Sequence, residues 1–195
     1  MSRTYYRYFA GLLKAQERWL NRMSEKGCRL IRAGKMAYEF EPCKPNEVRY
    51  CVEFVGEKSK ESASDYACFL EEMGYRVFFK NINLNCSVGK VRLRPWAQRG
   101  GRIATHTTTF DRELLIVEKE NDGKPFALHT SHEDLQRYYR NLRNPWLMIL
   151  LLFLIFAVMD RSGVFAVLVL LSTLPVGVYQ RQVWQHGREA KTKEW

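Results

Sequence analysis

The segment "HTSHE" places His129, His132 and Glu133 within five residues, two imidazoles and a carboxylate of the kind that ligate a divalent transition metal. A zinc centre needs three or four convergent ligands, and no HExxH or CxxC motif completes this set. His106 and His186 stand isolated, so these histidines read as surface residues and neither a metal nor any other cofactor is assigned. A second cluster, "GKVRLRPWAQRGGR", holds Lys90, Arg92, Arg94, Arg99 and Arg102 without an acid. Its chemistry is anion binding, to phosphate or anionic lipid headgroups, where each basic side chain contributes about 1 kcal/mol near a membrane. Gly100 and Gly101 give that segment freedom, and Trp96 is placed to insert at an interface. A solvated loop has the same composition, and both readings stay open. Nucleophilic and nucleotide chemistry leave no trace: the chain has no GxSxG, GxxxxGK[ST] or GxGxxG motif and no cysteine obviously paired with a histidine. No catalytic residue is assigned.

The elements that would position these groups fall into two parts of opposite character. "WLMILLLFLIFAVM", from Trp146 to Met159, is apolar on every face, and such a helix must be buried in a large core or in lipid. "VFAVLVLLSTLPVGVY", from Val164 to Tyr179, is nearly as apolar, and its Ser172, Thr173, Pro175 and Gly177 are tolerated in transmembrane helices. Each run alone is short for a bilayer core of roughly 30 Å, so both must extend into their flanks. Trp146 and Trp184 sit where interfacial anchors belong. Arg137, Arg140 and Arg143 precede the first run, and Arg181, Arg188, Lys191 and Lys193 follow the second, whereas Arg161 stands alone between them beside Asp160. The positive-inside rule then predicts an integral protein of the cell membrane with both termini cytoplasmic. The competing arrangements are a soluble helical hairpin buried in an oligomer and a re-entrant hairpin that never reaches the far side of the membrane.

The N-terminal part carries most of the net charge of +10 and alternates short elements. Leu12, Ala15, Trp19, Leu20 and Met23 make one helical stripe that Gly27 terminates. Met36, Tyr38 and Phe40, then Val48, Tyr50, Val52 and Phe54, alternate as strands, and "PCKPN" reads as the turn of a hairpin between them. A second helix buries Ala63, Tyr66, Ala67, Leu70 and Met73 and stops at Gly74; Tyr75, Val77 and Phe79 then line the next strand. With an early strand in "TYYRYF", the prediction is an α+β protein: a ferredoxin-like sandwich (βαββαβ) over 1–82, followed by an amphipathic helix and a two-helix transmembrane hairpin. The free sheet face would carry Glu39, Glu41, Arg49, Cys51, Glu53, Arg76 and Lys80, poor in the aromatics that single-stranded RNA requires. Residues 83–130 read as a basic loop with an added β-hairpin turning at Asn121–Gly123. Ser131 caps an amphipathic juxtamembrane helix over 131–143, the transmembrane hairpin covers 144–184, and a basic cytoplasmic tail covers 185–195. The five cysteines, odd in number and without a CxxC pair, together with a start that lacks a secretory core, predict reduced thiols.

"WLNRMSEKGCRL", "YEFEPCKPNEVRYCVEF" and "DYACFLEEMGY" resemble the bacterial family called domain of unknown function 2812 over about residues 5–80; its members often add a C-terminal transmembrane hairpin. Where Tyr75 follows Gly74, that family usually has Trp. The resemblance implies no catalytic residues, and the frequent proximity of such genes to PadR-type repressors implies a regulatory setting. The expected function is therefore a non-enzymatic, membrane-anchored cytoplasmic regulatory or sensory module that binds a protein partner or ligand. The alternatives are a membrane-tethered nucleic-acid binder, disfavoured by the sheet face, and an accessory subunit of a membrane transporter. The expected partners are the lipid bilayer and an unidentified protein, with homo-oligomers allowed.

Overall fold

The computed structural model describes residues 2–88, 90–97, 102–104, 111–128, 132–160 and 163–192. Arg99, Gly100, Gly101, His106, His129, Ser131, Arg161 and Lys193 lie outside them. The chain divides into two compact units, residues 1–129 and 130–195.

The first unit is a mixed α+β domain. Its elements run β1 (Arg3–Tyr6), α1 (Leu13–Glu25), β2 (Cys28–Ala33), β3 (Ala37–Pro42), β4 (Val48–Phe54), α2 (Lys60–Glu72), β5 (Arg76–Lys80), β6 (Cys86–Val88), β7 (Val91–Leu93), β8 (Ile103–Ala104) and β9 (Leu114–Glu120). They form three antiparallel sheets ordered β1-β3-β2, β4-β9-β5 and β6-β7-β8. The helix ends follow the expected chemistry: Ser59 accepts from Ser62 N at 3.1 Å at the start of α2, and Gly27 and Gly74 follow the two helices with φ of +73° and +87°. A Cβ on Gly27 would lie 2.8 Å from the Cys43 carbonyl oxygen, so both backbone sign and space require glycine there. The stripe on α1 is Leu13, Gln16, Trp19, Leu20 and Met23, turned slightly from the expected one, and Met73 is exposed beyond the end of α2.

The strand connectivity departs from the ferredoxin-like expectation. The strands on either side of "PCKPN" do not form a hairpin, because β3 pairs with β1 and β2 while β4 pairs with β9. Residues Leu114 to Val117 are apolar in succession and all fully buried, the pattern of a strand covered on both faces, and β9 takes the central place between β4 and β5. The segment expected to add an outlying hairpin thus supplies the middle of a sheet. Past the turn, where Gly123 has φ +74°, residues 124–128 are not a strand, although Phe126 and Leu128 pack on the core of α2 and β9.

The second unit is two long helices, α3 (His132–Asp160) and α4 (Gly163–Thr192). Phe156 stacks on Phe165, Arg143 bonds Gln180 and Tyr139 stacks on His186, so the partners descend one helix as they ascend the other and the pair is antiparallel. At 29 and 30 residues, each is longer than the roughly 20 that a bilayer core requires. Neither Pro145 nor Pro175 ends its helix. In α4 the Ser172 and Thr173 hydroxyls donate to the carbonyls of Val169 and Leu170 at 2.9 and 2.6 Å, so that both hydroxyls find partners within the helix.

Candidate functional site

Three features of the chain carry unusual chemistry. The first is the apolar surface of the hairpin. The most hydropathic 18-residue windows of α3 and α4 average 2.0 and 1.8 in mean hydropathy, yet only 6% and 11% of them are buried. Met148, Leu151, Leu152, Ile155, Val158, Leu170, Leu171 and Leu174 all point outward. The hydrophobic effect makes such a surface costly to expose to water, a cost that hydrocarbon removes. Trp146 and Trp184 are 38% and 64% exposed near its edges.

The second lies at the other end of the same hairpin. Leu135, Tyr138, Tyr139 and Leu142 of α3 and Tyr179, Val183 and His186 of α4 are buried there. His132, from the first turn of α3, meets His186 and Glu189, which are three apart and share one face of α4. The Nδ1 atoms of His132 and His186 stand 3.0 and 3.2 Å from the same Glu189 Oε2. Tyr139 lies parallel to the His186 ring at 5.5 Å and 2°, fixing the imidazole plane. His186 is therefore not isolated, and the acid that joins His132 is Glu189 rather than Glu133, which is exposed. Two imidazoles and a carboxylate can share a proton or hold a divalent cation. A groove of about 340 Å³ lined by Gln136, Trp184, Gly187 and Arg188 opens on the same turns.

The third is a set of buried polar groups in the α+β unit. Glu118, 2% exposed, takes two hydrogen-bond-length contacts from Arg29 (Nε 2.8 Å, Nη2 2.7 Å) and one from the Tyr50 hydroxyl at 2.8 Å, with Arg76 at 3.6 Å. The Tyr50 hydroxyl in turn accepts from Leu30 N at 2.7 Å. Glu113, fully buried, accepts from Ile82 N and Asp111 N at 3.1 and 2.7 Å and from the Asn85 amide. Burial nevertheless pushes the Glu113 carboxyl above its ordinary range, against the pull of those bonds. Lys80 donates to the carbonyls of Asn81, at 3.0 Å, and Lys35, and lies 5.4 Å from the Tyr38 ring centroid. Burial lowers its ammonium to about 8, with Glu113 opposing the shift.

The described basic residues singled out from the sequence differ in their exposure. Lys90 and Arg102 are exposed and Arg92 is half-buried, whereas Arg94 is 5% exposed with its guanidinium 5.5 Å from the Trp96 ring centroid. Trp96, expected at an interface, is fully buried: it donates to Asn85 Oδ1 at 2.7 Å and meets Phe54 edge-on. Arg137 and Arg140 are exposed, and Arg143 is half-buried with Nη1 donating to Gln180 Oε1 at 2.6 Å. Cys51, Glu53 and Lys80, assigned to an open sheet face, are buried, and Glu53 accepts from the Tyr66 hydroxyl at 2.8 Å. Alternation along one strand could not reveal this, because the groups that meet these side chains, such as Tyr66 on α2 and the Lys35 carbonyl, belong to other parts of the chain.

Residues 13–151 match the family described as "Protein of unknown function (DUF2812)". The chain belongs to this family. The match runs from α1 through most of α3, well past the segments whose motifs first suggested it. No curated protein and no solved structure matches the chain.

Proposed function

We propose that this member of the family is a non-enzymatic membrane-anchored module: α3 and α4 cross the bilayer as a hairpin, both ends lie in the cytoplasm, and the α+β unit binds a protein partner or ligand in a regulatory or sensory role. The observation that carries the reading is the outward-facing apolar surface of two helices long enough to span a bilayer. Arg137, Arg140, Arg181 and Arg188, outside the apolar runs, support the orientation through their attraction to anionic headgroups on the cytoplasmic side. Expressed as the full chain, the protein is expected in the membrane fraction and is expected to stay there through high-salt and alkaline carbonate washes. Release into the supernatant by carbonate would contradict anchoring by the hairpin.

A further inference from the structure

We infer that His132, His186 and Glu189 form a binding site for one divalent first-row transition cation of the zinc class, clasping the beginning of α3 to the last turns of α4. One ligand atom from each residue lies within 4.8 Å of the others, before any side chain moves. Two of the separations, 3.0 and 3.2 Å, are near the roughly 3.3 Å between ligands of a tetrahedral zinc with bonds of about 2.0–2.1 Å. His132 Nδ1 is buried and 3.0 Å from Glu189 Oε2, yet among the described residues it makes no aligned hydrogen bond. A ring nitrogen close to a carboxylate oxygen but not directing a proton at it suits a shared cation, which both atoms approach along their lone pairs.

The composition of the site selects the class of ion. Two neutral imidazoles favour zinc and its neighbours over magnesium or calcium, which prefer oxygen ligands. The single carboxylate leaves the site with one net positive charge when a divalent ion is bound, and three protein ligands leave the fourth tetrahedral position to water. Preorganisation comes from the fold: His186 is 4% exposed and stacked on Tyr139, so one ligand is fixed, while His132 and Glu189 are more exposed and can close on the ion. A cation bridging α3 and α4 would order the first turn of α3, where the chain enters the hairpin. The site requires only the second unit's own packing, so it does not depend on whether the hairpin crosses a bilayer.

The test is zinc binding to the purified full chain in detergent, by titration calorimetry after chelator treatment, with magnesium as the control and cobalt(II) absorption as the readout of geometry. The expected result is one zinc per chain, no magnesium binding, and tetrahedral cobalt bands without thiolate charge transfer. His132→Ala and Glu189→Gln are each expected to weaken zinc binding at least ~10-fold, the scale on which even the outer partners of metal sites act. Both side chains are more exposed than His186, and an unchanged circular dichroism spectrum checks that the variants fold. Absence of zinc binding would overturn the proposal. So would binding that both variants retain, or cobalt bands with thiolate character, since the ion would then sit on cysteines.

Discussion

Lys80 is a side chain whose surroundings change its chemistry. Its ammonium is lowered to about 8 by burial, while in the unfolded chain it titrates near 10.5. Below about pH 8 both states hold the proton; between there and 10.5 the unfolded chain holds more, so this group's contribution to stability rises with pH. The buried Tyr38 and Tyr50 phenols, the half-buried Tyr66 phenol and the Cys51 thiol, all raised by desolvation, act in the opposite sense above about pH 9. The informative quantity is therefore the difference between the wild type and Lys80→Met. That difference is expected to shift by about 1–2 kcal/mol in favour of the wild type between pH 8 and 9.5, measured by chemical denaturation. A pH-independent difference would show that Lys80 is not titrating in this range. The sequence identified Lys80 as a strand residue but placed it in solvent, because the carbonyls of Lys35 and Asn81 that take its protons are set by tertiary structure. His186 and Glu189 are spaced to share a helix face, but their link to His132 emerges only when α3 and α4 are paired antiparallel.

Secondary structure followed local chemistry and strand pairing did not. Gly27 and Gly74 stop their helices where a left-handed residue is needed, and those signals lie within a few residues of the helices they end. "PCKPN" also marks a genuine reversal, with Asn46 at φ +59°, but a turn does not dictate that its flanking strands pair. The competing partner for β4 was β9, whose four consecutive buried apolar residues outweigh the local advantage of a hairpin. Two substitutions test this ranking of strands. Leu115→Ala, in the middle of β9 and fully buried, is expected to cost about 2–5 kcal/mol. Leu93→Ala, in β7 and 43% exposed, is expected to change stability by no more than about 0.5 kcal/mol. Denaturation midpoints of the two variants check this; comparable losses would remove β9 from its position as the organising strand.

The molecule joins an α+β unit, in which β9 and Trp96 are buried, to a helical hairpin many of whose apolar residues are exposed. This division is the most legible property of the sequence, since continuous apolar runs follow from composition and need no long-range pairing to be recognised. The α+β unit resisted a topological reading because the sheet of β4 and β5 is completed by a strand more than thirty residues beyond β5. Membrane spanning by the hairpin is best tested with alkaline phosphatase, a reporter active only outside the cytoplasm, fused after residue 162 in one protein and after Trp195 in another. Activity at residue 162 and none at Trp195 is the expected result, setting the turn outside and the C-terminus within. Activity at neither position would contradict a spanning hairpin.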